Sequence, residues 1–278
     1  MSVRRGGVRH GGASVRHGIL TGKRSALVDI GQFVVLTGGV VWLILRGAES
    51  LGYNWQWYRV PRYFFEDIDG ELIWGPLVRG FLVTIEITAL SLLLTIVVGL
   101  VTALLRFSDS LVGRGLARCY LEVIRNTPLL VQLYLFYFCV APILGIDRYW
   151  TAVLTLAIFE GAYASEIFRA GIVSVEKGQW EAAFGLGLSQ YDTYRYIVLP
   201  QAFRLILPPM TGQAVSLIKH SAIISVIAVE ELATEGRNII ADTFMSFEIW
   251  FTVAAMYLVL TISLSVFVSY LEYRVRAR

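Results

Sequence analysis

Residues 77–106 read LVRGFLVTIEITALSLLLTIVVGLVTALLR, a run in which Arg79, Glu86 and Arg106 are the charged members. A helix needs roughly 20 consecutive apolar residues to cross a hydrocarbon layer about 30 Å thick. Because this run exceeds that length, it predicts a membrane-spanning helix.

Five further segments have the same character, at residues 27–46, 118–144, 149–171, 210–232 and 249–270. The whole chain of 278 residues is 56% hydrophobic and 16% charged, whereas soluble domains are about 45–50% apolar and about 25% charged. The pattern predicts an all-α membrane protein with six transmembrane helices. It excludes a soluble enzyme, a disordered chain and a secreted disulfide scaffold.

The distribution of basic residues predicts the orientation of these helices. Lys and Arg are concentrated in an arm at residues 1–26, in a connection at 173–208 and in a tail at 273–278. Since basic segments stay in the cytoplasm, both termini are expected to be cytoplasmic. The net charge of +3 is too balanced to indicate a nucleic-acid partner.

The segment at residues 47–76 is expected on the external side and is rich in aromatic residues. Tyr and Trp concentrate at membrane–water interfaces. We therefore favour an interfacial helix or loop over a ligand-binding aromatic cage.

Small and hydroxyl-bearing residues recur every three or four positions along residues 77–106. They are Gly80, Thr84, Thr88, Ser91, Thr95, Gly99 and Thr102. This spacing places them on one helix face, which favours close packing on another helix. Glu86 lies about 200° around the helix from this face.

The connection at residues 173–208 is too long for a simple turn and is predicted to be functional. Good helix formers at 176–184 and 190–198 predict two short helices, with a turn at Gly185 and Gly187. Pro200 is expected to end the second helix. A helix, a glycine turn and a second helix make a suitable docking shape for a soluble partner.

One motif in this connection is specific to a known family. Glu181, Ala182, Ala183, Gly187, Ile197, Leu199 and Pro200 match the EAA…G…I.LP pattern at the right spacing. With neighbouring matches such as 125–132, the chain from about residue 76 to 271 resembles the polar amino acid branch of ABC importer permeases.

The resemblance implies a type I importer with a core of about five helices at residues 77–272 and an extra N-terminal helix. Its implied protein partners are a cytoplasmic ATPase dimer, a second permease subunit of the same or a related kind, and a periplasmic solute-binding protein. The chain itself would lie in the lipid of a bacterial inner membrane. Glu181 to Gly187 would form the coupling helix, with Ile197, Leu199 and Pro200 completing the motif. ATP and Mg²⁺ would bind the ATPase, so this subunit is expected to be no enzyme and to hold no cofactor, metal site or catalytic residue.

Ionisable residues inside a membrane are functional candidates because each costs about 3 kcal/mol or more when unpaired. Glu160 and Tyr163 share one face of the fourth span. Glu160 is expected either to meet a substrate ammonium group or to pair with a basic residue such as Lys219.

Lys219, His220 and Ser221 supply further polar groups on the fifth span. Lysine is frequent at this position in the family, which favours a structural or gating role over contact with a substrate carboxylate. His220 is more distinctive and is expected to tune specificity. Glu86 is retained as a pathway candidate, although its frequency in the family favours a scaffold role, and Glu166 and Arg169 predict an intrahelical ion pair.

Taken with these residues, the resemblance implies ATP-driven import of an acidic, amide or basic amino acid by alternating access. An amino acid derivative such as ectoine, an opine or cystine is the alternative substrate. An ion-coupled secondary transporter is the alternative class, although such carriers tend to show inverted repeats that are not evident here.

Overall fold

The computed structural model describes residues 26–50, 52–68 and 70–276. The chain divides into two units, Met1–Asn54 and Trp55–Arg278. In the first unit a helix, α1, spans Ala26–Ser50 and coincides with the first predicted span. The predicted basic arm before residue 26 lies outside the described residues, as do the last two residues of the predicted tail.

The second unit is built almost entirely of helices. Its α-helices are α2 Pro76–Phe107, α3 Leu111–Arg125, α4 Leu129–Leu135, α5 Ala141–Leu144, α6 Arg148–Val173, α7 Lys177–Gly185, α8 Gln190–Asp192, α9 Leu199–Ser221, α10 Leu232–Thr243 and α11 Ser246–Arg276. Its other elements are 3-10 helices at Trp57–Tyr63 and Ala222–Ile227, π-helices at Phe136–Val140 and Thr193–Val198, and strands β1 Phe65–Ile68 and β2 Glu71–Trp74.

Helix length and composition agree with the predicted membrane fold. Among the described residues, four helical segments are long and apolar enough to cross a membrane: Pro76–Phe107, Arg148–Val173, Gln190–Ile227 and Ser246–Tyr270. A bent pair, Leu111–Arg125 with Leu129–Leu144, makes a fifth. These five form the predicted core, and α1 adds the shorter apolar stretch Val28–Leu43.

The third predicted span, residues 118–144, is wrong as a continuous helix. The chain turns by 109° between α3 and α4. Pro128 precedes α4 in extended conformation, and a residue before proline, here Thr127, is driven out of helical conformation. Gln132 stabilises the break because its amide donates to the carbonyls of Ile124 at 2.8 Å and Thr127 at 3.1 Å, which a helix end leaves without partners.

The stripe of small and hydroxyl residues on α2 is buried, as predicted. It packs on α6, which runs parallel to α2. A Cβ added at Gly99 would come within 2.8 Å of the Ala164 Cβ. Since atoms do not approach this closely, only a glycine lets the two backbones meet here.

The segment at residues 55–76, part of the predicted interfacial helix or loop, is more ordered than predicted. It contains a 3-10 helix and a hairpin in which Phe65 pairs with Trp74. The rings of these two residues lie 5.6 Å apart, and such cross-strand aromatic pairs stabilise short hairpins. Val60 is buried in an apolar cluster with residues of α2, α10 and α11, so the segment packs on the bundle.

The prediction that Pro200 ends a helix is wrong. The helical segment continues from Gln190 through Pro200 to Ile227. A proline in a helix removes one amide donor and clashes with the carbonyl four residues earlier. The π-helix Thr193–Val198 widens the turn just before Pro200, since the Leu199 amide donates to the Tyr194 carbonyl five residues back.

Candidate functional site

Helix α7 carries Glu181, Ala182 and Ala183 and ends in a Schellman motif. The Leu188 amide donates to the Ala183 carbonyl at 3.1 Å, and the Gly187 amide donates to the Phe184 carbonyl at 3.0 Å. Gly187 has φ +78°, a conformation that favours glycine. No atom lies within 4 Å of a Cβ built at Gly187, so the motif requires glycine there for its backbone conformation alone.

One side of α7 is anchored to the bundle. Ala183 is 2% exposed, and Trp180 packs against a cluster that includes Val198 and Ala202. The Trp180 ring also meets the Tyr194 ring edge-on at 5.1 Å. These contacts fix the position of α7 relative to the start of α9.

The other side of α7 is open. Glu181, Ala182 and Gly187 are exposed, and two large apolar side chains beside them are also exposed, Phe184 by 52% and Leu186 by 81%. A surface with this composition is typical of a protein interface. The alternation of buried Ala183 with exposed Glu181 and Ala182 therefore leaves the middle of α7 available to a partner.

The remaining motif residues lie where the π-helix meets α9. Pro200 is the second residue of α9, and the wider turn of the preceding π-helix accommodates it. Leu199 is 49% exposed, and Ile197 is half-buried. The side-chain amide of Gln201 donates to the Ile197 carbonyl at 2.8 Å and to the side-chain oxygen of Gln179 on α7 at 3.4 Å, so it links this segment to α7.

Glu160 is the centre of a buried polar cluster between α6 and α9. Its side chain is 1% exposed. The amide of Gln213 donates to one carboxylate oxygen, and Nδ1 of His220 is hydrogen-bonded to the other. Because a carboxylate only accepts, Nδ1 carries the proton in this bond, and Nε2 is left for another partner.

Aromatic side chains surround this cluster. The Phe159 ring meets the His220 ring edge-on at 5.8 Å and lies 5.3 Å from the Tyr163 ring. The His220 side chain is 38% exposed, and Tyr163 is half-buried. Glu160 is thus shielded, whereas the side chains of His220 and Tyr163 are partly exposed.

Glu160 does pair with a basic residue of another helix, as the second expectation has it, but that residue is His220 and not Lys219. Lys219 is exposed, and no hydrogen bond or ion pair joins it to any residue that the structure describes. Lys219 precedes His220 by one residue, so the two side chains point about 100° apart. Ser221 also turns away from Glu160, because it is buried and donates to the Ile218 carbonyl at 2.7 Å.

Glu86 lies apart from the Glu160 cluster. It is exposed and accepts a hydrogen bond from the Tyr149 hydroxyl at 2.7 Å. Tyr149 precedes Glu160 on α6 by about 16 Å along the helix axis. The structure therefore brings Glu160, Tyr163 and His220 together and leaves Glu86, Lys219 and Ser221 outside this group.

The predicted ion pair between Glu166 and Arg169 is confirmed, with a 3.0 Å contact. It belongs to a larger group, because Arg106 also contacts Glu166 at 2.7 Å and Arg125 contacts it at 3.4 Å. Sequence spacing reveals only the intrahelical pair, since Arg106 and Arg125 arrive from other helices.

A further buried carboxylate, Glu231, was missed by the sequence analysis. It is fully buried and accepts hydrogen bonds from the amides of Ala233 and Thr234, both at 2.9 Å, and from the Tyr257 hydroxyl at 2.6 Å. Burial raises the pKa of Glu231 above its ordinary value, opposed by these donors. Glu231 occupies the N-cap position of α10, but glutamate is not among the residues favoured there, so the sequence carries no signal for this site.

The family described as "Binding-protein-dependent transport system inner membrane component" matches residues 95–277, a range that includes the whole α7 motif.

Two relatives illustrate the similarity. The glutamine transport system permease protein GlnP of Escherichia coli K12 is 38% identical over 214 residues, which cover 75% of this chain and 98% of that protein. The L-cystine transport system permease protein TcyB of Bacillus subtilis 168 is 40% identical over 174 residues, which cover 62% of this chain and 74% of that protein.

Solved structures agree with the fold. A chain from a crystal structure of an amino acid ABC transporter with histidines is 37% identical, with a TM-score of 0.68, and covers 72% of this chain and 94% of that one. A chain of the MetNI methionine ABC transporter in an inward-facing conformation shares the fold at 18% identity and a TM-score of 0.64, covering 72% of this chain and 96% of that one. The chain therefore belongs to the family of inner membrane components of binding-protein-dependent transport systems.

Proposed function

We propose that this chain is the membrane-spanning subunit of an ATP-driven importer for a polar amino acid. The observation that carries the proposal is α7, whose motif residues Glu181 and Ala182 are exposed on a helix fixed to the bundle by Ala183 and Trp180. A secondary carrier has no use for such a helix. The relatives named for glutamine and L-cystine support an amino acid or a close derivative as the substrate.

In this proposal α7 transmits force from a separate cytoplasmic ATPase, which binds ATP and Mg²⁺. The exposed side of α7 seats in the ATPase, and its buried side is joined through Val198 and Ala202 to α9. Closure of the ATPase dimer would therefore move α9. Because His220 lies on α9 and Glu160 lies on α6, that movement acts directly on the buried polar cluster.

The Glu160 cluster is the proposed recognition site. His220 and Tyr163 present polar atoms beside aromatic rings, and Glu160 holds the His220 ring in place from behind. An amino acid carries a carboxylate that the His220 imidazole and the Tyr163 hydroxyl can bind, whereas the shielded Glu160 acts through His220. Lys219 and Glu86 are proposed to serve gating and scaffold roles, and Ser221 is proposed to stabilise the end of α9.

The proposed assembly has α7 and both chain termini in the cytoplasm of a bacterial cell, with the chain in the inner membrane. A second permease subunit, two ATPase subunits and an external solute-binding protein complete it. This subunit itself performs no hydrolysis in the proposal, and ATP consumption belongs to the ATPase pair.

The test is ATP hydrolysis by the complex purified around this chain and reconstituted with its solute-binding protein. Amino acids are screened one by one, beginning with glutamine and cystine. We expect one chemical class to stimulate hydrolysis and to accumulate in vesicles only when ATP is supplied. Uptake driven by an ion gradient without ATP would contradict the proposal.

A matched pair of variants tests the role of α7. E181A removes the exposed motif carboxylate, whereas E176A removes an exposed carboxylate at the start of the same helix. We expect E181A to lower substrate-stimulated hydrolysis strongly while E176A stays close to the wild type. Equal effects of the two variants would show that the motif position has no special role.

A further inference from the structure

A polar cavity of about 580 Å³ lies between α2, α3 and α6. Five arginines line it, Arg106, Arg114, Arg118, Arg125 and Arg169, together with the carboxylates of Glu122 and Glu166. Counting these side chains, five positive charges less two negative charges leave the lining at +3. Such a concentration of one sign in a concave site attracts anions.

The two carboxylates do not neutralise the arginines. Glu166 is shared by three of them, Arg106, Arg125 and Arg169. Glu122 instead accepts a hydrogen bond from the Asn126 amide at 3.0 Å. The cavity therefore keeps guanidinium groups that no carboxylate of the described residues satisfies.

Arg114 and Arg118 are the least compensated members of this group. Arg114 donates to the Ser108 carbonyl at 2.6 Å, which uses one of its five N–H donors. Arg118 is exposed and forms no hydrogen bond or ion pair with the residues that the structure describes. Guanidinium groups bind carboxylates through two parallel hydrogen bonds.

Helix α3 separates this cavity from an apolar surface. Val112, Leu116 and Val123 are exposed by 72%, 62% and 55%, and their spacing places them on one stripe that suits lipid. Arg114 and Arg118 lie roughly 200° around α3 from this stripe. The basic face is thus turned away from the apolar one, which favours a water-borne anion over a lipid headgroup.

Tyr163 connects the cavity to the Glu160 cluster. It lines the cavity, and its ring lies 5.9 Å from the Arg125 guanidinium and 5.3 Å from the Phe159 ring. Glu160 and Glu166 lie on α6 about 9 Å apart along its axis, with Tyr163 midway between them. A molecule that leaves the Glu160 cluster toward the α7 end of the bundle therefore meets these arginines next.

We infer that the arginine cavity is a carboxylate-binding vestibule of the transport pathway and that it makes the permease favour acidic over neutral amino acids, and neutral over basic ones. This inference rests on the proposed function, because it takes the passing amino acid as its ligand. It adds a second binding site to the Glu160 cluster and assigns the charge of the preferred substrate.

Binding of labelled glutamate, glutamine and lysine to the reconstituted permease and ATPase complex tests the inference. The solute-binding protein is left out so that its own selectivity does not enter. Glutamate and glutamine differ little in size and differ by one charge. We expect glutamate to bind at least about tenfold more tightly than glutamine, with lysine weakest, and the ratio to fall as salt rises.

The R114Q/R118Q variant should lose most of the glutamate preference while it still binds glutamine. These two arginines are chosen because neither pairs with Glu166. Replacing an arginine that does pair with Glu166 would destabilise the fold. R204Q/R274Q removes the same number of exposed charges from α9 and α11, and it should keep the preference.

Three results would overturn the inference. One is wild-type binding of lysine equal to or tighter than that of glutamate, and another is an unchanged glutamate-to-glutamine ratio in R114Q/R118Q. The third is loss of glutamate binding when anionic phospholipid replaces zwitterionic lipid, since the cavity would then hold headgroups. The proposed function fails separately, when no amino acid stimulates ATP hydrolysis by the complete wild-type complex, and the inference falls with it.

Discussion

The Glu160 carboxylate on α6 is hydrogen-bonded to Nδ1 of His220 on α9. The two helices run in opposite directions, because Gly171 near the end of α6 lies against Ile206 early in α9. The bond therefore ties together two neighbouring spans at a level where Glu160 is 1% exposed. It therefore links α6, which precedes α7 in the chain, to α9, which comes after it.

Loss of His220 should destabilise the protein. In H220A the buried carboxylate keeps the Gln213 amide but loses its imidazole partner, which costs about 1–3 kcal/mol. Thermal unfolding of the purified complex should show the melting temperature lowered by a few degrees. K219A removes the adjacent exposed side chain and should change the free energy of unfolding by less than about 0.5 kcal/mol.

A double-mutant cycle separates the Glu160–His220 bond from other effects of H220A. If the bond accounts for the loss, E160Q and H220A combined should cost clearly less than the sum of the two single variants. Strict additivity would show that the two side chains do not stabilise each other.

The turn that ends α7 requires a glycine at position 187. G187A must hold φ +78°, which costs an L residue about 1 kcal/mol or more. G185A is the control, since Gly185 is helical and a Cβ there meets no atom within 4 Å. We expect G187A to lower the coupling of ATP hydrolysis to substrate while G185A leaves it unchanged, and equal coupling in both variants would contradict this role.

The sequence predicted what depends on local pattern. The apolar runs located the spans, and the stripe from Gly80 to Thr102 correctly identified the buried face of α2. The break before α4 was also predictable from the sequence, because Pro128 disfavours a helical conformation at Thr127. It was missed because the flanking residues are apolar enough to look like one continuous span.

The composition of the site depended on contacts between distant residues. Gln213 and His220 lie 53 and 60 residues from Glu160, and no spacing rule relates them. The helix through Pro200 was missed for another reason, since a π-helical turn overrides the usual effect of proline. The arginines around Glu166 come from three helices, so only the pair on α6 was predictable.

The contact between α2 and α6 should tolerate no side chain at Gly161. A Cβ there would come within 2.7 Å of the Val98 side chain and 3.1 Å of the Tyr120 hydroxyl. G161A should therefore cost about 1–3 kcal/mol through overpacking. G115A places the same methyl group on α3 where no atom lies within 4 Å, so its free energy of unfolding should stay close to that of the wild type. Equal losses of unfolding free energy in G161A and G115A would rule out overpacking as the cause.

The buried carboxylate of Glu231 should make stability depend on pH. Burial raises its pKa in the folded protein above the ordinary value of 4.5, so the folded state holds the proton more tightly than the unfolded state. This contribution to stability is fully present below pH 4.5 and is lost as the pH rises through the raised pKa. In E231Q the group cannot titrate, so the melting temperature of the wild type minus that of E231Q should fall across this window and then stay level. E230Q, at the exposed neighbouring position, controls for loss of a carboxylate in this segment. If the melting temperature of the wild type minus that of E231Q instead rises with pH, the hydrogen-bond donors around Glu231 outweigh its burial.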